Sequence, residues 1–415
     1  MENFLPLTVL ILLLIVLIGF FNEKVTKLTY EISLMLFATV VGVTCAFIVA
    51  ATRGSSVSTL LADVMLFDIE GFLMEGVLCF MLFAGSCHMR LHDFRRMARP
   101  VGVLAFVCTL LGAVFYGLLF YGMSCITGLP FSLPMCLMFG SIVAPTDPIA
   151  ATSILKKFGL PKDTGFLIEG ESLLNDGVGV ALFVCFSGIV KAEKGEGFFA
   201  VMFRELFGAV LIGAVVTIIF FFIFRRSEDG KRRIFVSLLS VALAYWLCEV
   251  FSCSGAIASV VCGVLFSTLR KRAEDAGDQM DLAEFDSFWD IMDNLLNSVL
   301  YVLLGLSFIR ILQMPNVLKL SVAAVIFNLA GRFSSLFAST FLMGQIPDGF
   351  TRTRFASLLT WGGLRGGLCI ALAMSCKPML DAEVYHIVLG CTYAIVFFTT
   401  VVQGLTMKKV YEKLR

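Results

Sequence analysis

Long apolar stretches separated by short polar loops run along the whole chain. A membrane-spanning helix needs about 20 predominantly apolar residues, and thirteen stretches come near this length. The ninth is short, and Glu70 and Glu75 interrupt the third. The pattern predicts an all-α polytopic membrane protein with thirteen transmembrane helices. The predicted spans cover residues 4–20, 30–51, 66–87, 101–123, 134–155, 166–190, 198–224, 234–252, 255–269, 288–312, 317–343, 353–376 and 384–407.

The segments outside these spans are short. The first span, residues 4–20, lacks the basic start and the small-residue cleavage site of a signal peptide, so we expect it to be retained. No loop is long enough for a soluble domain, and the sequence ends eight residues after the last span. We therefore expect one membrane domain over residues 1–415, with no soluble C-terminal domain.

The distribution of Lys and Arg among the loops predicts the orientation in the membrane. Cytoplasmic loops of membrane proteins carry an excess of these residues. With thirteen spans, 23 Lys and Arg residues fall on one side of the membrane and seven on the other. We therefore expect the N-terminus outside and the C-terminus in the cytoplasm. The two remaining basic residues, Arg332 and Arg365, lie inside predicted spans.

The composition agrees with a membrane protein and excludes several other classes. Hydrophobic residues make up 59% of the chain and charged residues 15%, against about 25% charged residues in soluble domains. The net charge of +1 and the lack of a basic stripe argue against nucleic-acid binding. The thirteen Cys are scattered through apolar runs without paired ligand spacing, and only three His occur. We expect neither a disulfide framework nor a resident metal or cofactor.

Two of the predicted spans contain helix-breaking residues. In the fifth, Ala-Pro-Thr-Asp-Pro occupies residues 144–148, and the two prolines leave the carbonyls of Ser141 and Ala144 without helical partners. In the twelfth, Trp-Gly-Gly-Leu-Arg-Gly-Gly occupies residues 361–367 and favours an unwound segment. Irregular backbone at this depth is tolerated only where protein or a water-filled cavity surrounds it.

The positions of these breaks indicate an internal repeat. If spans one to six and eight to thirteen form two halves joined by the seventh, each break falls in the fifth span of its half. The offset of seven spans is odd, so the second half enters the membrane in the opposite sense. Paired interruptions in an inverted repeat are typical of a secondary transporter with its site near the midplane.

The sixth span carries the polar residues that such a site needs. Glu171 and Asn175 are four residues apart and share one face, while Ser172 and Asp176 form an adjacent face. Arg332 needs a buried anion, and Glu171 is the natural partner, with Asn175 bridging. Asp176 then remains free to bind an ion.

The expected ion-binding group is therefore an oxygen cage for a hard cation such as Na+. Asp176 would be its centre, assisted by Asp147, Ser172 and Thr146. Asp147 between two prolines has a second interpretation, as the cap of a half-helix. Arg365 is expected to compensate the charge of helix ends at the break in its own span. Competition between Na+ and H+ for one carboxylate would be sufficient for exchange.

The chain resembles a known family at these residues. Thr-Asp-Pro at 146–148, Glu-Ser-Leu-Leu-Asn-Asp-Gly at 171–177 and Trp-Gly-Gly-Leu-Arg-Gly at 361–366 are similar to motifs of monovalent cation:proton antiporters of the NhaP/NHE type. The likeness covers essentially the whole chain, with three motifs in the correct order.

The resemblance implies an NhaA-like antiporter fold, in which two inverted six-helix repeats place unwound helices 5 and 12 across each other. A mobile core (about residues 101–190 and 317–407) would move against a dimerisation scaffold (about 1–87 and 198–312). It implies electroneutral exchange of one Na+ or Li+ for one H+ in a homodimer in the lipid of a bacterial inner membrane. The implied ion ligands are Asp176, Asp147, Ser172 and the Thr146 main chain, and the stabilising polar cluster is Glu171, Asn175 and Arg332.

Two features depart from the family pattern. Many relatives read Leu-Phe-Glu-Gly in the third span, whereas Ala84 stands here in place of the glutamate and Glu75 is the nearest carboxylate. Relatives often carry a long cytoplasmic tail, whereas this sequence ends at Arg415.

Other functions remain as alternatives. A K+/H+ antiporter would use the same residues, because ion choice depends on cavity size and ligand distances. A cation channel is less consistent with paired broken helices. An intramembrane enzyme would need a nucleophile with a base or a metal site, and Ser172 has no His in its span.

Overall fold

The described part of the computed structural model consists of helices joined by short non-helical segments. It comprises residues 4–51, 71–87, 89, 95–147, 151–152, 155, 159–191, 198–277, 282–307, 317–344, 346–347 and 349–414. The helices in chain order are α1 (Phe4–Phe21), α2 (Tyr30–Ala51), α3 (Leu78–Ser86), α4 (Thr109–Thr127), α5 (Leu133–Ile142), α6 (Lys162–Val190), α7 (Ala209–Arg226), α8 (Gly230–Val250), α9 (Gly255–Asp275), α10 (Ala283–Ser307), α11 (Val317–Leu342), α12 (Arg352–Gly362), α13 (Gly367–Met374), α14 (Ala382–Phe397) and α15 (Gly404–Leu414).

Several of these helices continue into short additional helical segments. An α-helical segment lies before α4 and another before α7, while π-helical segments follow α1, precede α3, α4 and α7, and connect α14 to α15. The short α-helical pieces are Ala98–Gly102 and Phe198–Phe203, and the π-helical stretches are Asn22–Thr26, Phe72–Val77, Val103–Cys108, Arg204–Gly208 and Phe398–Gln403.

Several helices start at a residue whose side-chain hydroxyl caps the first turn. The Ser132 hydroxyl accepts a hydrogen bond from the Met135 amide at the start of α5. The Ser254 and Thr351 hydroxyls do the same for α9 and α12. Such caps satisfy amide groups that the first turn leaves without helical partners, so these helix starts are encoded locally.

A helix lies in each of the thirteen predicted windows, and the break predicted in the twelfth separates α12 from α13. By length and composition, seven helices of the described part are able to cross a membrane: they cover Thr8–Thr26, Ala98–Thr127, Lys162–Val190, Phe199–Arg226, Gly230–Val250, Lys319–Leu342 and Ala382–Leu414. The all-helical membrane architecture is confirmed, while the count of thirteen crossings stays a prediction. Glu70 and Pro148 lie outside the described residues, and the side chain of Glu75 is not described.

The helices associate in two groups. In the first, α4 packs against α5 and α11, α6 packs against α5, and α14 packs against α11 and α13. In the second, α10 packs against α2 and α3, and α9 packs against α3, α7 and α8. Contacts between the groups include α6 against α9 and α10 against α13. The two groups therefore meet along a limited set of helices.

The outer faces of α1 and α7 are apolar and exposed. Leu211, Ile218 and Phe222 on α7, and Val16 and Phe20 on α1, all have more than half of their surface exposed. Contact between a continuous apolar face and water is unfavourable, whereas contact with lipid tails is not. These faces fit the hydrocarbon of a bilayer.

Candidate ion-binding site

The fifth predicted span unwinds in its middle. Helix α5 ends at Ile142, and residues 144–146 have no regular structure. Pro145 cannot donate an amide hydrogen and clashes with the preceding turn, so the α-helix cannot continue through it. The backbone of residues 144–147 is thereby free to hydrogen-bond with other helices.

The two unwound segments cross and bond to each other. The Asp147 amide donates to the Leu364 carbonyl at 2.8 Å, forming an isolated antiparallel bridge between the segments. The crossing requires small residues. A Cβ atom on Gly366 would lie 3.1 Å from the Asp147 side chain, and one on Gly363 would lie 3.2 Å from Arg332 Nε. The glycines of the segment 361–367 therefore permit residues 144–147 to approach this segment closely.

Arg365 hydrogen-bonds to the buried carbonyls that the helix break leaves without helical partners at this crossing. Its Nη1 donates to the carbonyls of Ala144 at 2.6 Å and Pro145 at 2.9 Å, and its Nη2 donates to Asn328 Oδ1 at 3.1 Å. The guanidinium therefore serves the break of the fifth span, across from its own segment, whereas the sequence placed its effect at the twelfth. A cation beside carbonyls that lack helical partners is electrostatically favourable.

Two threonines of the chain's last helical region hold the Arg365 backbone. The Thr399 hydroxyl accepts from the Arg365 amide at 3.0 Å, and the Thr400 hydroxyl donates to its carbonyl at 3.2 Å. Buried backbone groups need such partners. These hydroxyls make the unwound segment tolerable inside the bundle.

Thr146 is the centre of a buried polar network with α6. Its amide donates to Asn175 Oδ1 at 3.2 Å, and its hydroxyl accepts from Asn175 Nδ2 at 2.7 Å. Ser172 Oγ lies 2.9 Å from the Thr146 hydroxyl and also donates to the Thr146 carbonyl. Thr146, Ser172 and Asn175 are each at most 3% exposed. The network fixes the unwound segment against α6.

Glu171 and Arg332 form a buried ion pair beside this network. Arg332 Nη2 donates to Glu171 Oε1 at 2.8 Å, and Asn175 Nδ2 donates to the same oxygen at 2.8 Å. The two charged side chains are 4% and 3% exposed. Asn175 thus joins the ion pair to Thr146, which is the arrangement that the helix spacing indicated.

Asp147 and Asp176 face a common cavity. The cavity has a volume of about 470 Å³, and its polar lining includes Thr146, Asp147, Glu169 and Asp176. Among the described residues, no hydrogen-bond partner is found for the Asp176 carboxylate. The structure thus brings the two aspartates of the predicted cage to one cavity, with Thr146 beside them. Ser172 lies behind Thr146 and is not part of the lining.

The opposite wall of the cavity supplies residues that the sequence did not identify. Asp290, Asp293 and Asn297 of α10 line the cavity, and the Tyr301 hydroxyl donates to Asp147 Oδ2 at 2.6 Å. Tyr301 is 1% exposed. In the sequence, the only available signal was the polar spacing along α10, which does not reveal which helix it faces.

Ala84 also lines this cavity. The wall that α3 contributes therefore carries a methyl group at the position where the resemblance leads one to expect a carboxylate. No group of three or more His, Cys, Asp or Glu side chains suited to a metal ion occurs within the described ranges.

Comparison with known proteins identifies the family. The model of the family described as sodium/hydrogen exchanger, transmembrane, matches residues 10–413. The chain belongs to the sodium/hydrogen exchanger family. This is a family of transporters, and the resemblance read from the three motifs is confirmed.

Individual relatives match this chain over most of their length. The Na(+)/H(+) antiporter NhaP of Pseudomonas aeruginosa is 30% identical over 357 residues, which are 84% of this chain and 82% of that protein. The Na(+)/H(+) antiporter NhaH of Halobacillus aidingensis is 31% identical over 335 residues, 78% of each chain.

A solved structure shares the fold. The sodium proton antiporter MjNhaP1 from Methanocaldococcus jannaschii superposes with a TM-score of 0.78 at 17% sequence identity, covering 99% of both chains. The chain therefore has the fold of that antiporter. Its apolar helices and its family make it an integral, multi-pass membrane protein.

Proposed function

We propose that this protein exchanges Na+ or Li+ for H+ across a membrane, with Asp176 as the group that binds either ion. The observation that carries the proposal is the cavity in which Asp176 and Asp147 lie together beside the crossing of two unwound segments. Named relatives that are Na+/H+ antiporters support the choice of ions. An unpaired carboxylate at this depth costs at least roughly 2.5 kcal/mol, which a bound cation or proton offsets.

The chemistry of the site favours a hard monovalent cation. Carboxylate oxygens of Asp176 and Asp147, with oxygens of Thr146 and Ser172, make the ligand set. Ser172 acts through Thr146 in the present geometry and would reach the ion only after a local rearrangement. Na+ and H+ compete for one site, so that the neutralised site alone reorients and exchange is electroneutral, one for one.

Glu171, Asn175 and Arg332 form the structural cluster in this proposal. The charges of Glu171 and Arg332 neutralise each other. The hydrogen bonds of Asn175 hold the unwound segment against this pair. They therefore position Asp147 and Asp176 without carrying an ion. Arg365 keeps its role of charge compensation at the helix break.

Alternating access follows from movement of one helix group past the other. We assign residues of about 101–190 and 317–407 to the core that moves, and about 1–87 and 198–312 to the scaffold. The limited contacts between the two groups support this division. The assembly is proposed to be a homodimer in a bacterial inner membrane.

The predicted orientation gives the direction in which the cavity faces. Glu169 and Asp290 lie near the starts of α6 and α10, which begin at loops assigned to the cytoplasm from their Lys and Arg content. The cavity then lies on the cytoplasmic side of Asp176, and the chain has the inward-facing form.

Proteoliposomes test this function directly. The purified protein, reconstituted with an interior pH dye, is expected to move protons when Na+ or Li+ is added outside. Clamping the voltage with valinomycin at balanced K+ is expected to leave the rate unchanged. A proton response to K+ alone would move the specificity to potassium, and voltage-dependent proton flux without cation coupling would favour a channel.

Tyr301→Phe is expected to raise the Na+ concentration for half-maximal exchange by about tenfold, because a hydrogen bond to an ionised carboxylate is lost. The Tyr301 hydroxyl donates to Asp147 Oδ2 and favours the ionised form that binds Na+. Proton flux in proteoliposomes over a range of Na+ concentrations measures this value.

The matched control for this variant is Tyr411→Phe, which removes a hydroxyl that donates to the distant Gly159 carbonyl at 3.3 Å. It is expected to leave the half-maximal concentration unchanged. Equal values for wild type and Tyr301→Phe would show that the Tyr301 hydroxyl does not act on the site.

A further inference from the structure

A polar face on α10 leads along the cavity toward the candidate ion site. Asp290, Asp293, Asn297 and Tyr301 follow each other at spacings of three and four residues, so they lie on one face of the helix. The first three line the cavity, and the fourth hydrogen-bonds to Asp147. By helix geometry, Asp293 lies about 12 Å along the axis from Tyr301.

Asn297 has an unsatisfied acceptor in this wall. The residue is 5% exposed, and its Nδ2 donates to the Asp293 carbonyl and to Asp293 Oδ1, both at 2.9 Å. Its Oδ1 is buried and has no hydrogen-bond partner among the described residues. A buried amide oxygen keeps its capacity to accept a hydrogen bond or to bind a cation when no protein group uses it.

We propose that Asp293 and Asn297 form a second binding site for a monovalent cation, through which Na+ passes on its way to Asp147 and Asp176. The proposal rests on the proposed function and adds a site on the opposite wall of its cavity. The ligands are the Asp293 carboxylate and Asn297 Oδ1, both of which are hard oxygen donors.

The two side chains suit transient binding. The Asn297 amide hydrogen-bonds to Asp293 Oδ1 and so holds the carboxylate in place without neutralising it. Two protein ligands leave most of the cation's coordination to water in the cavity. A weak, hydrated site concentrates cations without trapping them, and a lined cleft of one charge sign raises the local ion concentration.

The neighbours of Asp293 make a purely structural role a poor explanation. Asp147, Glu169 and Asp290 line the same cavity, and no basic residue is among its lining residues in the described part of the chain. Carboxylates that share a site repel one another when no cation lies between them. The arriving cation supplies the counter-charge.

The first test measures exchange in proteoliposomes as a function of Na+ concentration on the cavity side. Asp293→Asn is expected to raise the half-maximal Na+ concentration by at least about threefold while the maximal rate stays within about twofold of wild type. Asn297→Leu, which keeps the Asp293 carboxylate but removes both the amide oxygen and the Nδ2 group that holds that carboxylate, is expected to act in the same direction.

Two variants distinguish a local site from the general charge of the cavity. Glu284→Gln removes an exposed carboxylate at the start of the same helix and is expected to match wild type. Asp290→Asn removes a charge from the cavity wall one turn away and is expected to have a smaller effect than Asp293→Asn. Equal effects of Asp290→Asn and Asp293→Asn would overturn the site in favour of cavity charge alone.

A binding measurement separates this site from the proposed function. Radioactive Na+ is titrated against the purified Asp176→Asn variant, with and without Asp293→Asn. Residual weak binding that Asp293→Asn removes is the expected result, and it does not depend on transport. Binding in Asp176→Asn that Asp293→Asn leaves unchanged, or no residual binding, would overturn the second site. Wild-type protein that binds Na+ but moves no protons would instead overturn the exchange function.

Discussion

Asp176→Asn is expected to reduce Na+-driven proton flux to that of protein-free liposomes while the protein still inserts and folds. The amide has the shape of the carboxylate but neither binds a proton near neutral pH nor supplies the negative charge that holds Na+. Among the described residues, no hydrogen-bond partner is found for the Asp176 carboxylate, so the substitution breaks no hydrogen bond to it. Proteoliposome flux, together with size-exclusion chromatography of the purified variant, measures both effects.

The matched control lies on the same helix. Asp163→Asn replaces an acidic residue near the start of α6 that pairs with Arg96 at an exposed position, and exposed pairs contribute about 0 to 1 kcal/mol to stability. It is expected to transport at the wild-type rate. Full transport by Asp176→Asn would show that the exchanged ions bind elsewhere, and loss of folded protein would assign the residue a structural role instead.

The helical architecture and its interruptions could be predicted because they depend on local chemistry. Apolar length sets where helices cross a membrane, and Pro145 and the glycines of the segment 361–367 set where α5 ends and where α12 separates from α13. The partner of Arg332 could be predicted for a related reason. A buried guanidinium needs an anion, and Glu171 lies in the predicted span that carries the other polar motif residues.

The opposite wall of the cavity could not be predicted from local patterns. Tyr301 and Asn297 are single polar residues in a long helix, and their significance depends on how α10 is rotated and placed against the unwound segment. The same limit applies to Thr399 and Thr400, whose hydroxyls meet Arg365 from a distant part of the chain. Relative placement of helices is set by packing over the whole bundle.

Ser172 and Arg365 show a subtler limit. Helix spacing correctly put Ser172 next to the face that Glu171 and Asn175 share. Its hydroxyl, however, donates a hydrogen bond to the Thr146 carbonyl. For Arg365, the need for charge compensation was clear, whereas the identity of the carbonyls depended on the crossing. In both cases an unwound backbone offers hydrogen-bonding groups whose positions a helical pattern does not give.

Arg332→Ala is expected to destabilise the protein strongly and to change Na+ affinity little. Removing one partner of a buried ion pair leaves the other charge uncompensated, which costs about 3 to 5 kcal/mol, and both Arg332 and Glu171 are almost fully buried. The melting temperature in detergent and the yield of monodisperse protein measure the loss. The half-maximal Na+ concentration of the folded fraction is expected to stay close to wild type.

A second substitution distinguishes the loss of a pair from the loss of a side chain. Glu171→Gln in the Arg332→Ala background removes the charge that the first change left unpaired, so the double variant is expected to melt above Arg332→Ala. Arg96→Ala, which breaks the exposed pair with Asp163, is the control and should melt as wild type does. An unchanged melting temperature in Arg332→Ala would contradict the structural role, and a large rise in half-maximal Na+ concentration would place the pair in the ion path. Because Asn175 hydrogen-bonds to both Glu171 and Thr146, a destabilised pair would also loosen the unwound segment, so affinity has to be read at a temperature where the variant is fully folded.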